Sequence, residues 1–305
     1  MIFKTPTNIK FSNFYKKLNI FSLILIILSI SVLLLKGLNL GVDFKGGTLI
    51  EIRTDNQQVK IAEIRQSFLK MNLGDVTVKK FGKEGDYLVK IESGNSKDEN
   101  FIKSVNDRLS SDIGIEVNFR RVENVGPKVS NELLKAGLLA ISLSLAAMMF
   151  YIWIRFEWQF SLGAIAALVH DVLITIGIFS LLSYEINLSI VAAVLTIVGY
   201  SMNDTVVIFD RIRENLKKYA KIPITDISDI STNETLSRTI ITSTTTLLAL
   251  LSIFLFGGAI LKGFSFAMIV GVIVGTYSSI FVATPILKYT NVSQETILKE
   301  DKENN

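Results

Sequence analysis

Residues 186–209 read INLSIVAAVLTIVGYSMNDTVVIF, an almost unbroken apolar run with a single carboxylate inside it. A helix needs about 20 apolar residues to cross a bilayer, and such a helix satisfies its own backbone polar groups in hydrocarbon. Five further apolar runs occupy residues 18–35, 136–154, 160–182, 239–261 and 263–287. The sequence therefore predicts a membrane α-helical bundle of six transmembrane helices.

Composition agrees with this fold class and excludes several functions. Apolar residues make up 49% of the 305 residues, and cysteine is absent, which excludes disulfides and thiol chemistry. The net charge of +4 is too modest to indicate a nucleic-acid-binding patch, and no G-x-x-x-x-G-K-[ST] phosphate motif occurs. We therefore expect a membrane protein with no nucleic-acid partner and no cofactor, which is not an enzyme.

Basic residues in the short connections predict the orientation of the helices. The segments before the first run, after the fourth and after the sixth are rich in lysine and arginine, whereas residues 183–187 carry one acid and no base. By the positive-inside rule, we expect both termini of this multi-pass membrane protein to lie in the cytoplasm. The first run lacks the small-residue cleavage site of a signal peptide, so we interpret it as a retained anchor.

The chain then divides into segments that we expect on either side of the membrane. They are a cytoplasmic tail (1–17), helix 1 (18–35), an extracytoplasmic domain (36–132), helices 2–6 (133–287) with a cytoplasmic loop at 210–237, and a cytoplasmic tail (288–305). The extracytoplasmic domain alternates as strands at 48–54, 76–81, 86–93 and 115–125, with amphipathic helices at 57–72 and 97–112. This βαββαβ order is typical of a ferredoxin-like fold, and without histidine or paired carboxylates it favours a binding or lever module.

Glycine-rich stretches mark two close approaches of the backbone. GVDFKGGT (41–48) joins the first apolar run to the first strand, and its glycines permit positive φ and a tight exit from the membrane. No helix follows it that could hold a phosphate, so we interpret it as a turn between membrane and domain. GVIVG (271–275) gives the sixth run a small-residue face suited to close helix packing.

Asp204 lies six residues, or about 9 Å of helix rise, inside the end of its apolar run. A carboxylate in hydrocarbon costs at least about 2.5–3.5 kcal/mol, so acids at this depth usually pair or line a pathway. We expect Arg238 at similar depth on the next, antiparallel helix. In one interpretation the two residues pair; in the other, Arg238 reaches the membrane surface while hydroxyl groups satisfy Asp204.

The helix of Arg238 has one face of polar or small residues, and the third apolar run holds two further titratable residues. That face consists of positions 238, 242, 245, 249 and 252, and we expect it to point into the bundle. His170 and Asp171 are adjacent, so their side chains diverge by about 100° and cannot share one narrow seam. We expect one to face the bundle and the other an interface or a neighbouring helix; a proton-handling role and a structural pair are both open.

These motifs, in this order, resemble one known family. They are GVDFKGGT, VGP (125–127), HDV (170–172), GYSMNDTVVIFDRIREN (199–215), SRTIITSTTTLLALLSIFLFGG (237–258) and GTYSS (275–279). Together they are similar to the SecF subunits of the bacterial Sec protein-export machinery, which belong to the SecD/SecF family of the resistance-nodulation-division superfamily. The resemblance covers nearly the whole chain from Gly41 to Ser279.

The resemblance implies a function, partners and site residues. It implies an accessory subunit in the cell inner (cytoplasmic) membrane that, with SecD and the SecYEG channel, uses the proton-motive force to promote late translocation and release of unfolded preproteins. Family residues for proton transport match Asp204, Arg238 and Thr242, and the glycine motif matches Gly41, Asp43, Phe44, Gly46 and Gly47. His170 and Asp171 are further candidates for this pathway.

The residues and the resemblance together give a hypothesis with three rivals. Deprotonated Asp204 pairs with Arg238, and protonation lets the two helices shift, while the glycine segment transmits the movement outward. A scaffold that transports nothing would use the same charges as packing contacts. An efflux-type subunit of the superfamily is a second rival, which the single small outer domain disfavours, and sodium coupling through the carboxylate and nearby hydroxyls is a third.

Overall fold

The structure is a computed structural model that describes residues 7–54, 59–81, 84–92, 99–219 and 222–294. Six helical segments in this part of the chain are long and apolar enough to cross a membrane, which confirms the predicted number. They are Phe11–Lys36, Pro127–Arg155, Trp158–Leu181, Leu188–Lys218, Ile224–Phe256 and Ile260–Tyr289. Residues 1–6 and 295–305 of the predicted tails lie outside the described residues, as do 55–58, 82–83 and 93–98 of the predicted outer domain and 220–221 of the predicted loop.

The secondary structure of the described residues comprises ten α-helices and four strands in chain order. They are α1 (Tyr15–Lys36), α2 (Val42–Lys45), β1 (Gly47–Thr54), α3 (Ile61–Lys70), β2 (Val76–Lys80), β3 (Asp86–Ile91), α4 (Glu99–Ile113), β4 (Val117–Val125), α5 (Pro127–Arg155), α6 (Trp158–Leu181), α7 (Leu188–Lys218), α8 (Ile224–Phe256), α9 (Gly258–Ser278) and α10 (Thr284–Tyr289). A 3₁₀ turn (Phe11–Phe14) precedes α1, and a π-helical turn (Ser279–Ala283) separates α9 from α10.

The segment 210–237, which the sequence predicts as a loop, is mostly helical. α7 continues to Lys218 and α8 already begins at Ile224. The reason is that both helix ends pack apolar residues into the main hydrophobic core: Ile212 and Leu216, one turn apart on α7, and Ile227 on α8. The segment between the two spans therefore consists mainly of the end of α7 and the start of α8.

The chain forms two compact units, and the smaller one comprises Asn39–Leu139 with Glu185–Leu188. Its four strands form one antiparallel sheet in the order β2-β3-β1-β4, so each β-α-β crossover skips a strand. β1 pairs with β3 from Thr48↔Ile91 to Arg53↔Asp86, and a bulge interrupts its pairing with β4. From β1 to β4 the elements follow the order β-α-β-β-α-β, after the helical turn α2.

Alternating side chains build the core of the smaller unit. Ile50, Ile52 and Val89 point to one face of the sheet and are fully buried. α3 and α4 contribute Phe68 and Leu109, which are also fully buried. The period of two along the strands and the apolar stripe of each helix therefore meet in one core.

The larger unit contains the long helices, and small residues set their spacing. A Cβ at Gly177 of α6 would lie 2.5 Å from Cβ of Ser29 on α1, so only glycine permits this approach. Gly271 of α9 lies against Ile197 of α7 in the same way, as the GVIVG motif suggests. Of the most apolar 18 residues of α6, 61% are buried, whereas only 11% of the corresponding residues of α5 are buried in the isolated chain.

Candidate functional site

α7 carries three polar residues on its buried face. Ser201, Asp204 and Thr205 are each at most 4% exposed, whereas Asn203 between them is exposed. Residues three and four positions apart share one side of a helix, so these side chains form a narrow polar stripe. Gly275 of α9 makes room for it, because a Cβ there would lie 2.9 Å from Cβ of Ser201.

Asp204 is buried without a complete set of partners. Its Oδ2 atom has no hydrogen-bond partner among the described residues. The hydroxyl of Ser243 and the charge of Arg238, both on α8, are the neighbours that act on its carboxyl group. No ion pair within 4.0 Å joins Asp204 to Arg238, although both residues are described. The structure thus brings the predicted pair together without direct contact.

Arg238 and Thr242 lie on a face of α8 that the isolated chain leaves open. The Arg238 side chain is exposed, and the Thr242 hydroxyl donates to the carbonyl oxygens of Arg238 and Thr239, each at 3.0 Å. Thr245, Ala249 and Ser252 continue this exposed face. The sequence predicts that it points into the bundle, but none of the helices described in this chain covers it.

His170 and Asp171 of α6 are both buried and contact each other. Nδ1 of His170 lies 2.8 Å from Oδ1 of Asp171, and Nε2 has no partner in the described part of the chain. The His170 ring stacks on Tyr277 of α9 at 6.0 Å between centroids. The other carboxylate oxygen of Asp171 accepts hydrogen bonds from Ser201 (2.5 Å) and Ser278 (2.8 Å). The two side chains therefore meet each other, which the sequence did not predict, and each also reaches a neighbouring helix.

Hydroxyl groups of α9 and the following turn complete the polar interior, and sequence reasoning gave them no role. Ser279 Oγ lies 3.0 Å from Thr205 Oγ1, and Thr276 Oγ1 lies 2.8 Å from Ser243 Oγ. Their helix widens into a π-helical turn at Ser279–Ala283, a feature that often marks functional sites. The signal in the sequence was the run GTYSS, in which hydroxyl groups interrupt an apolar span.

The glycine segment lies in the smaller unit. Residues 42–45 form one helical turn, which the sequence does not predict. The side chains of Val42 and Phe44 in this turn are buried. Gly46 and Gly47 have φ of +80° and +120°, as the interpretation of a tight turn requires. A Cβ at Gly47 would lie 2.4 Å from the carbonyl oxygen of Ile91, so the strand can begin here only with glycine.

Two family models match the chain. The model of the SecD/SecF protein export membrane protein, C-terminal part, matches residues 105–293. The model of the SecD/SecF GG motif matches residues 31–58, which contain the glycine segment. The first match includes the polar residues of α6, α7, α8 and α9.

Known relatives and solved structures agree with these models. The chain is 46% identical over 280 residues to protein translocase subunit SecF of Rickettsia bellii, covering 91% of each chain. It is 44% identical over 292 residues to that of Cereibacter sphaeroides, covering 92% of this chain and 89% of the relative.

Two structures of SecDF share the fold. One, a translocon-associated membrane protein from Thermus thermophilus, superposes with a TM-score of 0.85 at 32% identity over 95% of this chain. A second, in a super-membrane-facing form, superposes with a TM-score of 0.71 over 99% of this chain. The chain spans about 40% of the length of each SecDF chain. The chain is therefore a multi-pass membrane protein that belongs to the SecD/SecF family of protein export membrane proteins, in which its relatives are SecF subunits.

Proposed function

We propose that the chain is an accessory subunit of the Sec protein translocase. With SecD and the SecYEG channel, it uses the proton-motive force to promote late translocation and release of unfolded preproteins. Two observations support the partner: the relatives are SecF subunits, and the SecDF structures join a matching segment to a longer chain. The open polar face of α8 gives a surface that such a partner covers at membrane depth.

The observation that carries this proposal is the buried, unpaired oxygen of Asp204. A charged carboxylate without partners in a low-dielectric interior is costly, and taking up a proton removes that cost. The acid therefore has a physical reason to bind and release a proton as its surroundings change. Arg238 is near enough to stabilise the charged form without holding it in a closed ion pair.

Ser243 is the hydroxyl neighbour of Asp204 on α8, and it can accept a hydrogen bond from a protonated Asp204. Thr276 donates its hydroxyl proton to the carbonyl oxygen of Val272 at 2.8 Å, so it accepts from Ser243. Once Ser243 donates to Thr276, its remaining capacity is to accept, and a protonated Asp204 supplies that donor. Loss of the proton reverses the preference and favours an approach of Asp204 to Arg238, which shifts α7 against α8. Thr242, one turn from Arg238, lies on the same side of α8.

The energy of one proton limits the size of this movement. A charge that crosses about 100 mV yields about 2.3 kcal/mol, whereas moving a two-state equilibrium from 1:99 to 99:1 requires about 5.5 kcal/mol. Several protons, a pH gradient or a smaller population shift must therefore supply the difference. His170 and Asp171 are buried titratable residues on the neighbouring helix α6, and they are candidates for a second proton site.

We further propose the orientation that the basic residues indicate. Both termini lie in the cytoplasm, because the lysines near the start of α1 and the basic residues near the end of α7 then remain on the inner side of the membrane. The four-stranded unit then lies outside the cytoplasm as a ferredoxin-like domain between the first two membrane helices. Its strand order is the one that this fold has.

The test replaces Asp204 by a nearly isosteric neutral residue. In vesicles that contain SecYEG and SecD, we expect Asp204→Asn to abolish the stimulation of export by a proton gradient while the complex still assembles. Asp210→Asn is the matched control, because this acid lies on the same helix, is 44% exposed and pairs with Arg155 at the surface. Uncoupler-sensitive export at the wild-type level in Asp204→Asn would favour the scaffold function. Export that is driven by external sodium at fixed pH would show that the coupling ion is sodium and not the proton.

A further inference from the structure

Two short segments of the smaller unit form a ladder that holds the start of α7. Leu40 and Ile186 pair as a parallel β-bridge. Gly41 N donates to the Ile186 carbonyl oxygen at 2.8 Å, and Ile186 N donates to that of Asn39 at 2.8 Å. We call residues 39–43 and 185–188 together the clasp.

Asp43 attaches the clasp to α7 itself. Its Oδ2 atom accepts a hydrogen bond of 2.9 Å from the backbone N–H of Leu188, the first residue of α7. The first N–H groups of a helix have no partner within the helix, and a carboxylate there also complements the helix dipole. This cap comes from a residue 145 positions away in the sequence, so it joins two distant segments rather than ending a local turn.

The other side of the clasp is bonded to the sheet, and the glycine turn that follows it lies close to α5. Lys90 of β3 donates to the Leu40 carbonyl oxygen at 3.1 Å, and burial lowers the pKa of this lysine while the nearby Glu185 carboxylate opposes the shift. β1 begins directly after the turn, at Gly47. A Cβ at Gly46 would lie 3.3 Å from Ser130 Oγ in the first turn of α5. The glycine segment therefore contacts β3, leads into β1 and borders the start of α5.

We infer that Asp43 is a positioning residue that couples the helix of Asp204 to the four-stranded sheet. α7 is continuous from Leu188 through Asp204, a distance of about 24 Å along a stiff helix. A displacement of α7 that follows protonation of Asp204 therefore reaches the clasp, where Asp43 and the main-chain bonds pass it to β1. The inference rests on the proposed function. It assigns the clasp the role of a link that stays closed while α7 moves.

The first experiment separates coupling from stability. Asp43→Ala removes the acceptor, Asp43→Asn keeps an oxygen that accepts from Leu188, and Asp107→Ala changes an exposed acid of α4 as a control. In vesicles with SecD and SecYEG, we expect Asp43→Ala to lower gradient-driven export about fivefold, which is the factor expected from the loss of one helix-capping hydrogen bond. Proton uptake by the same vesicles should not change. Asp43→Asn retains most export. Wild-type export in Asp43→Ala, or an equal loss of export and proton uptake, would overturn the inference.

The second experiment tests whether the clasp stays closed. The chain has no cysteine, so Leu40→Cys with Ile186→Cys gives a unique pair, and residues paired across a bridge are close enough for a disulfide. We expect the oxidised variant to export as fast as the reduced one. Export that is lost on oxidation and restored by reductant would show that the segments separate, which overturns the inference. Asp204→Asn distinguishes the two proposals: its wild-type export refutes the proposed function, whatever Asp43 does.

Discussion

The Ser201 hydroxyl donates a 2.5 Å hydrogen bond to Oδ2 of Asp171, and so joins α7 to α6 one turn before Asp204. The same oxygen accepts from Ser278 of α9 at 2.8 Å. One buried carboxylate thus holds three helices at the level of the site. A buried polar group that loses its hydrogen-bond partner costs free energy, so this contact fixes the part of α7 that carries Asp204.

We expect Ser201→Ala to destabilise the bundle by about 1 kcal/mol, because Asp171 loses one of its two hydroxyl donors in a low-dielectric interior. The measurement is the thermal unfolding midpoint of the purified chain in detergent. Thr196→Ala is the control, since Thr196 lies exposed on the same helix and its hydroxyl donates to its own helix at Ala192. Equal midpoints for the two variants would contradict this role of Ser201.

Gly275→Ala should push α9 away from α7, because the added Cβ would lie 2.9 Å from Cβ of Ser201. We expect a loss of about 1–3 kcal/mol from overpacking, seen as a lower unfolding midpoint. Gly199→Ala on α7 meets nothing within 4 Å and should instead stabilise the helix by about 0.5–1 kcal/mol. If both substitutions stabilise the chain, the close approach of the two helices is wrong.

Gly47→Ala tests the start of the sheet. Its φ of +120° and the 2.4 Å approach of a Cβ to the Ile91 carbonyl oxygen together predict a loss of at least about 3 kcal/mol. Hydrogen exchange of the β1 and β3 amides in the full chain measures this effect. Gly114→Ala has φ of +73° but open space, and should cost only about 1–2 kcal/mol. Unchanged exchange in Gly47→Ala would contradict the geometry of the turn.

Local patterns in the sequence predict most of the fold, because both regular structures have periods that a short window reveals. The six apolar runs and the alternation in residues 48–54 each indicate one element without knowledge of the rest. The helical character of segment 210–237 escaped prediction, since Ile212 and Leu216 on α7 and Ile227 on α8 are buried beneath charged residues. The clasp escaped it too, because Asp43 and Leu188 meet only after the chain has folded.

The candidate site was predicted in part, for a similar reason. A lone acid in an apolar run stands out, so Asp204 and its approximate depth relative to Arg238 follow from sequence. The hydroxyl groups of Ser243 and Ser278 do not stand out, because serine is common in membrane helices and its partner is set by helix packing. The rotation of α8 is also a tertiary property, and it leaves Arg238 exposed in the isolated chain.

The most direct test of the central claim is the gradient-driven proton flux of vesicles that contain the chain with SecD, measured with a pH-sensitive dye at fixed voltage. The account predicts a flux in the wild type that persists without sodium, is lost in Asp204→Asn and is retained in Asp210→Asn. A flux in Asp204→Asn equal to that of the wild type would contradict the proton role of Asp204.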